Sequence, residues 1–599
     1  MRHRAKTFAG LVRTIAIWIG VAGSLSGCGP SAPEPADIVL SGGVVYTVDD
    51  ARPWAEAVAV RGNGIVAVLD SREDAQAYIG ADTRVIDLDG RMLLPGFIDG
   101  HVHFNRAGAL LRDINLLQVA SRKGLRAEVR RVAARLAPGE WITGGHWGAY
   151  EQWAEGDTGQ GGDAAAGRWK PDRAMIDDLT PDTPLFVHSF EREPALYLAN
   201  TAALVAAGLL EAPVDGMELG EDGTPTGLIL KGSPAVESLE AAVEPKSEER
   251  LLAENRAALA ELARSGVVEV HDITDDAQMR RYAALEEAGA LTARVWMRAD
   301  LARAEEFAET GIAMNTHPLT GERSRFLRWG GYKGYVDGIM GNHSALFFEP
   351  YADQPGNTGR YRRHTSAGPP PYETGNMDKI YGYLRTAAKD GFVANVHAIG
   401  TKGVALLLDT FERLRDEADI DLAGFRMIHA QVVRDEDFPR FGALGLIAEV
   451  NPFHLSDDMR WMEERIGERA ENAYAFRSLM EGGATLVFGS DWPGTNAAYY
   501  HVHPKYLIHA SVNRTTVNHT PEGGWYPEEK IALEAAIRAY TLDAARATFD
   551  GDMKGSIEAG KLADLVVLDR NLFEIDPQDI LEVEVDLTMV DGRIVFERE

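Results

Sequence analysis

Apolar and polar positions follow two patterns along this chain. Through its middle, short apolar stretches are separated by longer amphipathic stretches with helical periodicity, such as 249–264 and 276–288. We interpret eight of the apolar stretches as strands: 93–103, 267–272, 294–299, 332–337, 393–397, 426–429, 446–451 and 486–491. Strands that alternate with helices form parallel sheets, and eight such units predict an α/β fold, a (β/α)8 TIM barrel over 93–548.

The two ends of the chain have a different pattern. Residues 37–92 and 549–599 are rich in β-forming residues. Gly62-Asn63-Gly64 and Asp591-Gly592 are turn signals between paired strands. We therefore predict one small β-sandwich domain that is assembled from both chain ends.

Residues 104–250 form a long insertion after the first barrel strand. We expect this insertion to contain its own strands and helices, and its sequence is rich in tryptophan and glycine. A segment of this length inside a barrel is either a lid that shapes a substrate site or a structural excursion, and the sequence leaves both open. Residues 357–373, rich in Gly, Pro and Tyr, are predicted to form a second active-site loop.

The first 27 residues are typical of a secretion signal. A basic start is followed by the apolar run 14–23, which is short for a bilayer span. Leu25-Ser26-Gly27-Cys28 resembles the lipobox of bacterial lipoproteins, and this resemblance implies cleavage after residue 27 and lipidation of Cys28. We expect a tether at 28–36, membrane contact through the lipid anchor, and a location on the periplasmic side of the outer membrane or at the cell surface. A membrane anchor with a buried cysteine is the alternative.

Composition narrows the possible functions. The chain has 599 residues, with 91 acidic against 61 basic side chains, for a formal net charge of −30. Such a charge repels phosphate backbones, so we predict no nucleic-acid partner. There is one cysteine, which excludes cysteine-based zinc and iron–sulfur sites. A metal site would have to use carboxylates and the 16 histidines.

Candidate metal ligands fall where predicted strands end. His101 and His103 lie two apart at the end of one strand, so their side chains share a face. His397, His429 and Asp491 end three later strands, and Lys333 lies in the fourth. Parallel barrels gather the carboxyl ends of their strands on one face, where catalysis takes place. Each histidine alone is more often structural, but the set together predicts a metal site.

These motifs resemble the amidohydrolase superfamily, and within it the YtcJ-like group, also called amidohydrolase family 3. The resemblance covers nearly the whole chain after residue 36. It is carried by these segments: 94–103, Asp222-Gly223-Thr224-Pro225-Thr226-Gly227, 333–338, His397-Ala398-Ile399-Gly400, His429-Ala430-Gln431, Gly489-Ser490-Asp491-Trp492-Pro493, Arg538-Ala539-Tyr540-Thr541 and 555–568.

The resemblance implies a divalent-metal centre with one or two ions, zinc being the expected metal. His101 and His103 would bind one ion and His397 and His429 a second. Lys333 would carry CO2 as a carbamate that bridges the two ions, whereas an unmodified Lys333 would leave a mononuclear site. Asp491 would contact a metal and act as the catalytic base and acid.

Further residues are candidates for substrate binding: His146, Trp147, His343, His454 and Trp492. Each also has a plain structural interpretation as a hydrogen-bonded or packed loop residue. Ile428 stands where the group often has an acid, so we expect His429 to lack that outer support. Residues 189–193 also depart from the group's pattern, so the substrate cannot be carried over from relatives.

Three functions remain after these considerations. The first is a metal-dependent hydrolase that cuts non-peptide C–N bonds of an amide, formamide or cyclic amide with a metal-activated hydroxide. The second keeps the site but hydrolyses lactones or other esters. The third is a metal-free binding lipoprotein. A small-molecule amide is the expected substrate. The resemblance to the family implies that the protein could form a homodimer.

Overall fold

The computed structural model describes residues 33–116, 119, 121–147, 170–189, 196–362, 377–494 and 501–599. The signal-like segment, Cys28 and most of the predicted loop 357–373 lie outside these residues. In the described part of the chain, none of the helices has the length and apolar character needed to cross a bilayer.

The described strands form three sheets. In chain order they are β1 Ile38–Tyr46, β2 Trp54–Arg61, β3 Gly64–Leu69, β4 Arg84–Asp87, β5 Met92–Pro95, β6 Phe97–Val102, β7 Ile142–Trp147, β8 Leu185–Ser189, β9 Leu196–Ala199, β10 Met217–Leu219, β11 Pro225–Leu230, β12 Val267–Ile273, β13 Arg294–Asp300, β14 Leu327–Tyr335, β15 Val393–Ala398, β16 Arg426–His429, β17 Ile447–Val450, β18 Thr485–Phe488, β19 Leu565–Leu568, β20 Val585–Val590 and β21 Arg593–Glu597.

The described helices mostly cover the barrel and the insertion. They are α1 Arg72–Ala75, α2 Phe104–Arg112, α3 Arg122–Ala133, α4 Thr201–Ala206, α5 Pro234–Ala242, α6 Glu248–Arg264, α7 Asp276–Glu287, α8 Ala304–Ala308, α9 Met377–Lys389, α10 Thr401–Ala418, α11 Phe438–Leu444, α12 Pro452–Asp458, α13 Met462–Ile466, α14 Phe476–Glu481, α15 Pro504–Asn513, α16 Leu533–Ala539 and α17 Leu542–Arg546.

The barrel consists of eight parallel strands in the order β6-β12-β13-β14-β15-β16-β17-β18. It closes just beyond β18, where the Asp491 N–H donates to the His101 carbonyl and the His103 N–H donates to the Trp492 carbonyl, both at 2.7 Å. The strands are almost wholly buried and pack against the surrounding helices. The predicted α/β barrel is thus confirmed, and the closure places His101, His103 and Asp491 side by side.

The predicted first strand is two strands in two sheets. Met92–Pro95 belongs to the sheet formed by the chain ends, and the barrel begins at Phe97. Gly96 separates them because a Cβ there would lie 2.3 Å from Cγ1 of Val268. Only glycine allows the chain to pass this close to β12.

Both chain ends build the accessory sheet, in the order β21-β20-β19-β5-β1-β2-β3 with β4 paired to β1. Its apolar face has its own buried cluster, which includes Leu40, Val58 and Leu565. A buried ion cluster joins this sheet to the barrel, since Arg294 of β13 donates to Asp564 at 2.8 Å and to Asp591 at 3.1 Å.

The insertion has its own layer of structure. Its sheet has the order β10-β11-β9-β8-β7, and a separate apolar core packs beneath it. The insertion returns to the barrel at α6, whose first turn is capped by Ser247, which accepts a hydrogen bond from the Arg250 N–H at 3.2 Å. Asp113 pairs with Lys246 and Arg250, and this ion cluster fastens the two ends of the insertion together.

Candidate metal centre

The six predicted ligands lie on the carboxyl-terminal side of the barrel strands. His101 lies in β6 and His103 directly follows it; Lys333 is in β14, His397 in β15 and His429 at the end of β16. Asp491 follows β18. His429 and Asp491 have left-handed backbones, with φ of 72° and 56°. Such conformations are uncommon for residues other than glycine and are often found at functional sites.

Three of these side chains bring a donor atom each to one point. Ligand atoms of His101, His429 and Asp491 lie within 4.8 Å of one another, and all three residues are buried. Ligand atoms about 2.1 Å from a tetrahedral zinc ion are about 3.4 Å apart. The cluster is therefore close to the size that a single divalent cation requires.

Asp491 is the acidic member of this cluster. Its Oδ1 lies 3.0 Å from Nε2 of His103 and 3.5 Å from Nε2 of His101, while its Oδ2 lies 3.5 Å from Nε2 of His454. Burial alone would raise the pKa of Asp491, but the hydrogen bond from His103 and the electrostatic interaction with the nearby rings of His101 and His454 hold this pKa well below its usual value. Asp491 is therefore ionised at neutral pH.

In three of the four predicted histidine ligands, one ring nitrogen is held by a neighbour. His101 donates from Nδ1 to Glu449 at 2.8 Å, and His429 donates from Nδ1 to Asn451 at 2.6 Å. His397 donates from Nε2 to the Gly338 carbonyl at 2.9 Å. Such contacts fix the tautomer and leave the opposite nitrogen to bind a metal. The donor set thus fits a divalent cation.

Burial keeps these imidazoles neutral. Desolvation lowers the pKa of His101 to about 3, and it also lowers the pKa of His103, His397 and His429. The positive charge of Lys333 lowers all four pKa values further. Neutral imidazole is the form that binds metal ions.

Lys333 and His397 lie beside the cluster. The His397 ring centroid is 4.5 Å from that of His429. Lys333 is 1% exposed, and its Nζ lies 4.9 Å from the ring centroid of Tyr335. Burial lowers the pKa of Lys333 to about 7. A lysine in this state has the uncharged amine that carbamate formation requires.

The candidate substrate residues occupy different places. His454 stands at the cluster, stacked 5.9 Å from His429. Trp492 is fully buried at the closure of the barrel, and Trp147 is buried in the apolar core of the insertion. The ring of His343 contacts Asp353 at 2.8 Å and Gln354 at 3.3 Å, both within its own loop.

His146 lies in β7, and its side chain is outside the described part of the structure. For all five candidates, including His146, a role in substrate binding stays a prediction.

Sequence reasoning missed several residues that support the cluster. Glu449 holds His101, Asn451 holds His429, and Arg298 and Arg426 hold Glu449. Asn451 thus supplies support that we did not expect for His429. The sequence contains one signal for Glu449: it is a charged residue inside an otherwise apolar strand, Ala448-Glu449-Val450. A buried charge needs partners, so such a residue indicates a buried polar network.

A parallel barrel with a buried histidine and aspartate cluster at its carboxyl-terminal face has the donor set and the location of a metal-dependent enzyme site. The chain belongs to the amidohydrolase family, whose family model matches residues 84–596. This match confirms the superfamily that the sequence motifs indicated and confirms that the protein is a hydrolase.

Known relatives cover nearly the whole chain. It is 30% identical over 588 residues to Protein LONG AFTER FAR-RED 3 of Arabidopsis thaliana, a match that covers 95% of this chain and 93% of that protein. It is 25% identical over 578 residues to N-substituted formamide deformylase of Arthrobacter pascens, with coverage of 94% and 98%.

A solved structure has the same fold. An uncharacterized metal-dependent hydrolase from Pyrococcus furiosus is 26% identical and has a TM-score of 0.66, with 90% of this chain and 99% of that chain covered.

Proposed function

We propose that this protein hydrolyses a non-peptide C–N bond in an amide, formamide or cyclic amide of small size. The observation that carries the proposal is the buried cluster of His101, His429 and Asp491, with an ionised carboxylate among neutral imidazoles. The similarity to N-substituted formamide deformylase supports a C–N bond as the target.

Zinc is the proposed metal, since neutral imidazoles and a carboxylate are ligands that suit it. His101, His429 and Asp491 would hold one cation. His103, His397 and Lys333 as a carbamate would complete a site for two. A divalent cation in this site would activate water and polarise the substrate carbonyl.

The chain's own groups account for the proton transfers. Asp491, ionised at neutral pH, is placed to accept the proton of the attacking water and to pass it to the leaving nitrogen. Burial lowers the pKa of His454 to about 4, so its ring is neutral. A neutral imidazole 3.5 Å from Asp491 can hydrogen-bond the substrate carbonyl oxygen.

The test uses protein that lacks residues 1–28. Its metal content is measured, and turnover is assayed on matched panels of N-substituted formamides, cyclic amides and lactones. We expect a stoichiometric divalent metal and hydrolysis of at least one amide class. Asp491→Asn, which keeps the size of the side chain, should lower kcat by about 10²–10⁴-fold.

Two outcomes would contradict the proposal. If the protein hydrolyses lactones but none of the amides, ester hydrolysis becomes the assigned function. Protein that contains no stoichiometric metal and gains no activity with added zinc or manganese would favour a metal-free binding protein.

We also propose that the chain is an exported lipoprotein anchored through Cys28, on the basis of its N-terminal sequence. Cys28→Ser should release the protein from the membrane fraction of cells that express the full chain. Retention of this variant in the membrane would contradict lipid anchoring. Light scattering of the purified protein tests the proposed homodimer.

A further inference from the structure

Glu449 lies directly below the candidate metal centre, fully buried in β17. Its Oε1 accepts hydrogen bonds from Nδ1 of His101 at 2.8 Å and from Nη1 of Arg298 at 2.9 Å. Its Oε2 accepts from Nη2 of Arg298 at 2.6 Å and from Nη1 of Arg426 at 3.0 Å. One carboxylate is thus clamped between two guanidinium groups and turned toward a single imidazole.

The two arginines are themselves fixed from other directions. Arg298 donates to the Gly100 carbonyl at 2.8 Å, and Arg426 donates to the Ala547 carbonyl at 2.8 Å. Both guanidinium groups lie over the ring of Trp296, at 5.3 Å and 4.7 Å from its centroid. Each arginine is therefore held by a backbone carbonyl and an aromatic ring as well as by Glu449.

The polar contacts continue down the barrel interior. Arg426 donates to Nδ1 of His271 at 2.9 Å, and Nε2 of His271 faces Glu269 at 3.3 Å. Glu269 in turn pairs with Arg328 and Lys554. The clamp at Glu449 is the upper end of a buried chain of charges that crosses the barrel.

Stability alone does not account for this arrangement. Replacing a buried ion pair with well-packed apolar residues is often neutral or stabilising, so a set of buried charges suggests another use. A metal-binding histidine usually has its distal nitrogen fixed by an acceptor, and loss of that acceptor typically weakens metal binding. Glu449 can serve as acceptor only while its carboxylate is held toward His101.

We propose that Arg298 and Arg426 are positioning residues for the metal centre: they orient Glu449, which fixes the His101 imidazole so that Nε2 faces the cation. This inference rests on the proposed function, because it requires the metal. It assigns a functional role to two residues that contact neither metal nor substrate.

The test measures zinc affinity of the purified protein by competition with a chelator. Loss of a histidine's own acceptor costs about 10–100-fold in metal affinity, and we expect Arg298→Met and Arg426→Met, which act through Glu449, to weaken zinc binding by up to this amount. Arg298→Lys keeps the charge but cannot donate to both Glu449 oxygens, so we expect an intermediate affinity. If the methionine variants fail to fold, the lysine variant carries the test.

The matched control is Arg294→Met. Arg294 is an equally buried arginine on the same strand, β13, but it pairs with Asp564 and Asp591 of the accessory sheet. Its loss should make the protein easier to unfold and leave zinc affinity unchanged. In a Glu449→Gln background, Arg298→Met should have much less effect on zinc affinity than it has alone, since both changes act through one contact.

Several results would overturn the inference. Wild-type affinity in Arg298→Met, or in Arg298→Lys when only that variant folds, would show that the clamp does not position His101. An equal loss of affinity in Arg294→Met would show a general effect of stability. If the wild-type protein itself binds no stoichiometric zinc, manganese or iron, the proposed function fails along with this inference.

Discussion

Lys333 should lose its charge near neutral pH in the metal-free protein. It is 1% exposed, and burial lowers its pKa from 10.5 to about 7. The charges of Glu449 and Asp491 oppose this shift, while those of Arg298 and Arg362 add to it. The pKa of Lys333 therefore depends on its burial and on several charged groups inside the barrel.

The size of the effect follows from this value. With a pKa of about 7, about half of the Lys333 side chains are uncharged at pH 7. A lysine with the ordinary value would be roughly 0.03% uncharged at the same pH. The reactive amine is thus more than about a thousandfold enriched, which would allow CO2 to form a carbamate.

The assay is an NMR titration of metal-stripped protein labelled with 13C at the lysine Cε. The Lys333 signal is identified by its absence in Lys333→Met, which fills the same space without a charge. We expect this signal to titrate near pH 7 while the exposed lysines titrate near pH 10. A midpoint above pH 9 would show that burial does not lower the pKa of Lys333 to near neutrality and would remove the basis for a carbamate.

Three further changes test the buried ion cluster at Arg294, the packing around His101 and the binding of a cation. Arg294→Met should lower the free energy of unfolding by about 3–5 kcal/mol, measured in urea, because it leaves the buried Asp564 carboxylate without its cation, whereas Asp591 keeps Arg325; Asp564→Asn added to it should restore part of the loss. Gly489→Ala should lower both metal content and stability, by about 1–3 kcal/mol, because its Cβ would lie 2.5 Å from Cβ of His101. Metal removal by a chelator should lower the melting temperature, since the cation binds only the folded state.

Each of these has an outcome that would contradict it. If Arg294→Met unfolds at the same urea concentration as the wild-type protein, the ion cluster contributes little to the free energy of unfolding. Gly382→Ala is the control for Gly489→Ala, since an added Cβ in helix α9 meets nothing within 4 Å. Equal metal loss in both variants would argue against a specific effect on His101. A melting temperature unchanged by chelation would indicate that no cation is bound.

Much of the fold was predictable from local patterns. The eight apolar stretches match the barrel strands to within a few residues for most of them, because buried parallel strands are apolar on both faces. The strand ends of a parallel barrel converge, so the sequence already predicted that the polar residues at those ends lie near one another: His101, His103, His397, His429 and Asp491. No contact had to be known for that inference.

The parts that sequence did not predict depend on long-range contacts. The division of the first strand at Gly96 is set by the side chain of Val268, 172 positions further along the chain. Glu449, which accepts a hydrogen bond from His101, lies 348 positions further along the chain. A single sequence shows that a charge lies in an apolar strand but not which partner neutralises it.

Anomalous diffraction from crystals of the purified protein, recorded on both sides of the absorption edge of its metal, would locate the cation in the barrel. We expect a peak within coordination distance of Nε2 of His101, the ring of His429 and a carboxylate oxygen of Asp491. A metal-loaded protein whose peak lies away from these three side chains would contradict it.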